Sequence, residues 1–390
     1  MTAPILAVIG GGQLARMMAP AAARLGIQLR VLVEAADGSA AQVLQDAPVG
    51  AAKDETAVTA LVRDAAALTF EHEHVDDEML VALRTRGLSV QPSPEALIHA
   101  QDKIVMRRRL TELGVPCPRW LALAASPAAA RAELDQFIAE SEQNEAVVKT
   151  SRGGYDGKGV RVVASASDVA DWIDAAAVGG PPLLVEEKVP FSRELAVLVV
   201  RNPSGESVTY DVVESIQRDG VCSEVIAPAP NLAPEIREQA GQIATTIADG
   251  LHVTGVLAVE MFEAPAHGGD TRLLVNELAM RPHNSGHWTI DGAATSQFEQ
   301  HVRAVLDLPL GPTRPRTPWT VMVNVLGSQL DELTDVLPRV LRECPDARVE
   351  LYGKQIRPGR KLGHVNVTGV DLVRVREQAN RAAAILRGEE

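Results

Sequence analysis

The sequence predicts an α/β protein of more than one domain. Its 390 residues exceed what one compact core usually organises. Towards the N-terminus, short apolar runs closed by glycine alternate with helical patterns. Beyond residue 180, β-branched runs instead follow one another across short turns.

Ile5 to Ile9 form an apolar run that stops at Gly10-Gly11-Gly12, and a helical pattern follows from Leu14 through Met18 to Leu25, ended by Gly26. A second run, Leu29 to Val33, ends at Glu34, which completes a β-α-β unit with a right-handed crossover. Runs at Ala66 to Phe70 and Leu88 to Gln91, with an amphipathic stretch near Met79 to Leu83, continue the pattern to a boundary near Pro92-Ser93-Pro94. The chain is then helical through Leu110 and breaks at Gly114 to Pro118. An alanine-rich helix from Pro127 to Ile138 precedes the glycine-rich stretch Val147 to Val163. Pro181-Pro182 leads into a buried strand at Leu183 to Val185. Strands at Leu195 to Val200 and Val208 to Val213 are expected to be antiparallel across Asn202 to Gly205. A helix from Pro234 to Gly250 is followed by strands at Gly255 to Phe262 and Thr271 to Glu277. After the proline-rich Pro309 to Pro318, strands fall near Thr320 to Leu326, Arg348 to Tyr352 and His364 to Thr368, before a final helix.

Composition narrows the function classes. Hydrophobic residues are 46% and charged residues 23%, ordinary for a globular protein, and the net charge of −13 argues against a nucleic-acid or membrane-surface binder. An anionic ligand must be held by local cations, which cluster at Arg107 to Arg109 and Lys354 to Lys361. Cys117, Cys222 and Cys344 are odd in number and match no metal pattern, which suggests reduced, buried thiols. No basic segment precedes the first apolar run and no apolar stretch spans a bilayer, so the expected location is cytoplasmic.

Six segments carry candidate chemistry. Gly10 to Ala15 fits a glycine-x-glycine-x-x-alanine fingerprint with Glu34 as an acidic ribose ligand. Such a turn at a helix N-terminus holds any phosphate, and it also serves simply to pack helix on strand. Val147 to Val163 brackets four glycines with β-branched runs and carries Lys149 and Lys158, suited to a flap over a polyphosphate or to a plain surface hairpin. Glu186 to Val189 form a strand end whose backbone can meet a purine edge, and Glu194 can accept from ribose hydroxyls. Glu260 and Asn276-Glu277 sit in apolar strands. Side by side they can converge on Mg²⁺, and the alternative is buried pairing with arginines. Met280 to Trp288 follow directly, with Arg281, His283 and Asn284 suited to a small planar oxyanion; His283 and His287 have helical zinc spacing, but Pro282 and Gly286 break any helix. Last, Tyr352 to His364 is a basic loop that can grip a monophosphate.

In this order the segments resemble the ATP-grasp superfamily. Gly10 to Leu14, Phe70-Glu71, Gln101 to Lys103, Gly153 to Gly159 and Arg281 to Gly286 are similar more narrowly to the 5-(carboxyamino)imidazole ribonucleotide synthases. Ala15 stands where that family usually has glycine, and Gln217 where some relatives have histidine near the nucleotide. The resemblance implies an ATP-grasp fold with a Rossmann-like N-terminal domain (1–98), an ATP-grasp domain (99–312) with a small mobile lid near 118–184, and a small β-rich C-terminal domain (313–390). It implies ATP-dependent carboxylation of aminoimidazole ribonucleotide by bicarbonate, through carboxyphosphate, in a homodimer using Mg²⁺. By the family pattern, ATP meets Lys103, Lys149, Gly154, Tyr155, Asp156, Gly157, Lys158, Gly159, Val160, Glu186, Glu187, Lys188, Val189, Glu194, Gln217, Asn276 and Glu277. Glu260 and Glu277 hold Mg²⁺. Arg281, His283 and Asn284 surround bicarbonate, with Asp156 at the reacting amine. Gly12, Gln13, Leu14, Glu71, Tyr155, Asp156, Arg281, Lys354, Arg360 and Lys361 meet the ribonucleotide. Other ATP-grasp ribonucleotide ligases or transformylases, an NAD(P) oxidoreductase and a non-catalytic ATP sensor are the competing expectations.

Overall fold

The computed structural model describes residues 3–154, 158–266 and 270–389. Among them, three sheets organise the chain. The first is parallel, with strands in the order Gln28–Leu32, Ile5–Ile9, Ala67–Phe70 and Ser89–Val90. Its central strand is buried on both faces: Leu6, Ala7, Val8 and Ile9 are all fully enclosed, as a parallel sheet requires. Leu6 and Val8 pack with the helices Gln13–Arg24 and Gln297–Val305, while Ala7 and Ile9 join the core shared with Leu257 and Val259.

The second sheet, antiparallel, orders Trp120–Ala122, Leu183–Glu187, Ala146–Thr150 and Val160–Val163, with the helices Pro127–Ala139 and Ala170–Ala177 against it. The third has nine strands. Its order is Thr271–Ala279, Gly255–Pro265, Arg193–Arg201, Val213–Arg218, Val221–Ala227, Trp319–Leu326, Lys361–Gly369 and Arg348–Leu351, with Ser207–Thr209 also on Arg193–Arg201. The C-terminal strands therefore continue this sheet, and the helix Leu372–Arg387 covers their outer face through Ala379, Ala383 and Leu386.

The segment expected as one strand from Val208 to Val213 is split. Tyr210 to Val212 lie opposite only Val197 and Leu198, so one extra residue separates two short pairings along the same neighbour. Tyr210 is turned into the core and donates from its hydroxyl to the Thr295 carbonyl at 2.8 Å.

His301 ties the first sheet to the third. Its Nδ1 accepts from the Val256 N–H at 3.1 Å, so the ring proton sits on Nε2 and is donated to Thr69 Oγ1 at 2.8 Å. The ring lies so close to Gly255 that a Cβ there would stand 2.8 Å from Cε1, and Gly255 adopts a φ of +92°, so glycine is required twice over. Burial pushes the His301 imidazole down to about 3. The unfolded chain therefore binds a proton that the folded chain refuses. This stabilisation is complete above pH 6.5 and is lost as pH falls from 6.5 towards 3, at about 1.4 kcal/mol per pH unit. Urea unfolding between pH 7 and pH 5 should show His301→Gln losing stability less steeply than wild type by about one proton. An unchanged slope would contradict the neutral, buried imidazole.

Candidate active site

Strand register assembles the acidic centre. Glu260 lies directly opposite Glu277, and Phe262 opposite Glu194, so Glu194, Glu260 and Glu277 rise from one face of three adjacent strands. The crowding has an electrostatic signature. Burial, then the charges of Glu277 and Glu194, push the Glu260 carboxyl up to about 8, and burial pushes Glu194 up to about 7. Like charges held this close call for a cation. No cluster of three or more His, Cys, Asp or Glu at metal-holding geometry exists among the described residues. Two facing carboxylates completed by ligand oxygens fit a hard divalent ion such as Mg²⁺.

Lysines face this centre. Lys103, first residue of the helix Lys103–Glu112, places Nζ 3.4 Å from Glu277 Oε1. Its N–H donates to the Ser151 carbonyl, which pins the start of the glycine-rich stretch. Lys149 Nζ lies 2.7 Å from Glu186 Oε2 and donates to Asn276 Oδ1 at 3.2 Å. Gly154, Lys158, Gly159 and Val160 flank the same stretch; Tyr155, Asp156 and Gly157 lie outside the described residues.

The Glu186 side chain is engaged within the protein. It is 3% exposed and is shared between Lys149 and Arg107, whose Nε donates to Oε1 at 2.6 Å. Despite burial, these two cations hold the carboxyl down at about 2. Its backbone lies in register with Trp120 on one side and Val147 on the other. The ladder ends at Glu187, which makes Lys188 and Val189 the first residues beyond it; Lys188 ion-pairs with Glu145. Gln217 donates to Ser215, which is opposite Glu194. The basic run also resolves differently from an anion site: Arg107 is fully buried, and Arg109 is engaged by Glu112 and the Gly250 carbonyl.

The loop after Thr271–Ala279 holds the second group. Arg281 Nε lies 3.0 Å from Glu73 Oε1. His283 is fixed through Nδ1, which accepts from the Ser285 N–H at 3.3 Å, so Nε2 carries the proton and faces Glu260 at 3.8 Å. Burial, with the charges of Arg281 and Lys361, pushes this imidazole down to about 3 and keeps it neutral. Gln297 holds the loop: it accepts from the His283 N–H, and its Nε2 donates to the His283 carbonyl and to His287 Nδ1. His287 is thereby turned into the core, stacked on His364 and Phe298, which removes the zinc spacing as a site. Asn284 is 8% exposed, and neither end of its buried amide has a partner among the described residues. A buried amide left so costs about 1–3 kcal/mol unless a ligand meets it.

The glycine turn is not open to a dinucleotide. Glu71, at the end of Ala67–Phe70, reaches across to accept from the N–H groups of Gly12 and Leu14, the latter at 3.1 Å. The helix N-terminus that would cradle a phosphate is already capped by a carboxylate. A Cβ at Gly12 would stand 2.2 Å from Glu71 Oε1. Burial raises the Glu71 carboxyl, while those N–H groups, Lys354 and Arg281 pull it back. Lys354 donates to Gln13, and Ser39 and Gln42 donate to the Tyr352 and Gly353 carbonyls. The basic loop is thus docked on the first sheet, bringing Gln13, Glu71, Arg281 and Lys354 to one junction. Arg360 donates to the Gln355 carbonyl, and the Lys361 charge acts on both Glu260 and His283.

Sequence reasoning missed Glu73 and the burial of Arg107. Neither lies in a glycine-rich or paired-acid pattern, and a Gln101-Asp102-Lys103 start predicts only the lysine.

Three family models match: the ribonucleotide synthetase preATP-grasp domain over residues 4–101, the ATP-grasp domain over 108–298, and the phosphoribosylaminoimidazole carboxylase C-terminal domain over 320–378. The N5-carboxyaminoimidazole ribonucleotide synthase of Mycobacterium tuberculosis is 50% identical over 98% of this chain and 87% of its own. A carboxyaminoimidazole ribonucleotide synthase from Aspergillus clavatus, solved with ATP, superposes with a TM-score of 0.86 at 31% identity, covering 99% of this chain and 98% of that one. The Aspergillus clavatus structure with ADP and 5-aminoimidazole ribonucleotide gives a TM-score of 0.85 at 29% identity, covering 99% of each. A carboxylate-capped glycine turn, three converging glutamates and an unpaired asparagine beside Arg281 thus occur in a chain that belongs to the N5-carboxyaminoimidazole ribonucleotide synthase family of ATP-grasp ligases.

Proposed function

We propose that this chain carboxylates the exocyclic amine of 5-aminoimidazole ribonucleotide, using ATP and bicarbonate. The observation that carries the reading is Asn284. Its buried amide, which has no partner among the described residues, shares one loop with Arg281 and the His283 Nε2–H at the edge of the carboxylate centre. That suits a planar oxyanion the size of bicarbonate.

ATP lies with its polyphosphate between Lys103, Lys149 and Lys158, under the glycine-rich stretch Gly154 to Val160. Lys188 and Val189 meet the base, Glu194 the ribose, and Gln217 and Asn276 the nucleotide's flanks. Glu260 and Glu277 hold Mg²⁺, which when bound supplies charge neutralisation on the phosphates. A bicarbonate oxygen attacks the terminal phosphorus as the bond to ADP breaks, and the bicarbonate proton departs. Arg281 steadies the oxyanion by charge and fork geometry, and neutral His283 donates from Nε2. The amine nitrogen then bonds to the carboxyl carbon, phosphate leaves and the amine loses a proton. By the family pattern Tyr155 and Asp156 bind the ribonucleotide, and Asp156 accepts or orients the amine proton. Gln13, Glu71, Lys354, Arg360 and Lys361 hold the ribonucleotide, with Gly12 and Leu14 fixing the Glu71 carboxylate through their N–H groups, a reading supported by the convergence of Gln13, Glu71 and Lys354 at the docked basic loop. A homodimer follows from the family resemblance. The free thiols Cys117, Cys222 and Cys344 support a reducing, cytoplasmic setting.

ADP release should require both aminoimidazole ribonucleotide and bicarbonate, and Arg281→Ala should cut turnover by about 10²–10³. Release independent of both compounds, or near-normal turnover of the variant, would overturn the reading. Glu260→Gln removes one of two carboxylates facing the cation, so half-maximal activity should need roughly tenfold more Mg²⁺. An unchanged Mg²⁺ requirement would place the cation elsewhere.

A further inference from the structure

Arg107 is 0% exposed and bonds to two strands besides its own helix. From the helix Lys103–Glu112, one turn beyond Lys103, its Nε donates to Glu186 Oε1 at 2.6 Å. Its other two nitrogens donate to the Val275 carbonyl at 3.0 Å and the Asn276 carbonyl at 2.7 Å. Glu186, on Leu183–Glu187 of the second sheet, passes its other oxygen to Lys149 Nζ at 2.7 Å. Asn276 passes its side-chain oxygen to the same Nζ at 3.2 Å. Both groups that locate the Lys149 ammonium are therefore themselves located by one guanidinium.

The charge count matters as much as the geometry. Arg107 and Lys149 carry two positive charges against the single negative charge of Glu186. The buried triad is net positive by one, and the surplus sits on Lys149, the most exposed of the three side chains at 11%. Remove Arg107 and Glu186 neutralises Lys149 entirely, leaving a closed ion pair where a polyphosphate needs a cation. We infer that Arg107 is a positioning residue for ATP: it occupies Glu186 so that Lys149 keeps a net charge for the phosphates, and it fixes the Val275–Asn276 backbone beside Glu277.

This inference rests on the reading that Lys149 faces ATP, and its test separates the two. ATP binding is measured by titration calorimetry on the full chain, with thermal melts to confirm folding. Arg107→Met should weaken ATP binding about tenfold or more, the scale of one charge-assisted contact. Adding Glu186→Gln to that variant restores the surplus charge on Lys149, so the double variant should bind ATP about tenfold more tightly than Arg107→Met alone. A purely packing role for Arg107 predicts that ATP affinity follows melting temperature across the variants, with no recovery of binding beyond any recovery of stability. A double variant that folds yet binds no better than the single one would overturn the inference. So would wild-type affinity in Arg107→Met. If Arg107→Met does not fold, the double variant is compared with wild type directly, since replacing both members of a buried pair is tolerated better than breaking it. Affinity within about threefold supports the charge balance, and a larger loss overturns it. Failure of the wild-type chain to bind ATP would overturn the proposed function itself.

Discussion

The buried grouping of Arg107, Glu186 and Lys149 is the constraint on which the arrangement depends. Burying an arginine completely is costly unless every donor is met, and here a carboxylate and two backbone carbonyls meet it. Those partners come from the second sheet and from the strand that carries Asn276 and Glu277. One desolvated guanidinium therefore sets the distance between the lysine-bearing sheet and the acidic face of the large sheet. Breaking it would strand two charges out of water, which makes the spacing stiff.

Around that fixed spacing the chain concentrates charges that it would not tolerate elsewhere. Glu194, Glu260 and Glu277 share one face of three strands; burial displaces the first two carboxyls upward, and at Glu260 the neighbouring carboxylates add to it. His283 is kept neutral by burial and by neighbouring cations, so it serves as a donor and not as a charge. Asn284 is buried with nothing to bind. Each is a departure from ordinary packing that a bound cation, phosphate or small oxyanion would relieve. Their concentration in one place distinguishes a site from a merely polar interior. Glu71 extends the same logic to the first sheet, where a carboxylate closes a helix N-terminus that would otherwise invite a dinucleotide.

Local patterns were legible in the sequence where one element decides the outcome. The helix expected from Pro234 to Gly250 is found with those bounds, and the strands bearing Glu260 and Glu277 pair as neighbours. These follow from apolar periodicity within a single segment. What the sequence did not disclose depends on partners far along the chain. The Glu71 contact to Leu14 spans 57 residues, and no local signal distinguishes a capping glutamate from a solvated one. Arg107, Arg108 and Arg109 read as one basic cluster, yet only the first is enclosed, because it alone turns towards Glu186. The small C-terminal domain, matched over residues 320–378, also contributes strands to the large sheet, a continuity that only the register between Val221–Ala227 and Trp319–Leu326 reveals.

The central claim is that one assembled site transfers phosphoryl from ATP to bicarbonate before carbon reaches nitrogen. Its most direct test follows oxygen. With ¹⁸O-labelled bicarbonate, aminoimidazole ribonucleotide and ATP, the bicarbonate oxygen that attacks phosphorus stays with it when phosphate leaves. Mass spectrometry of the released phosphate should then find one labelled oxygen per turnover. Turnover that yields only unlabelled phosphate would contradict the account, because phosphorus would not have been bonded to bicarbonate oxygen at any stage.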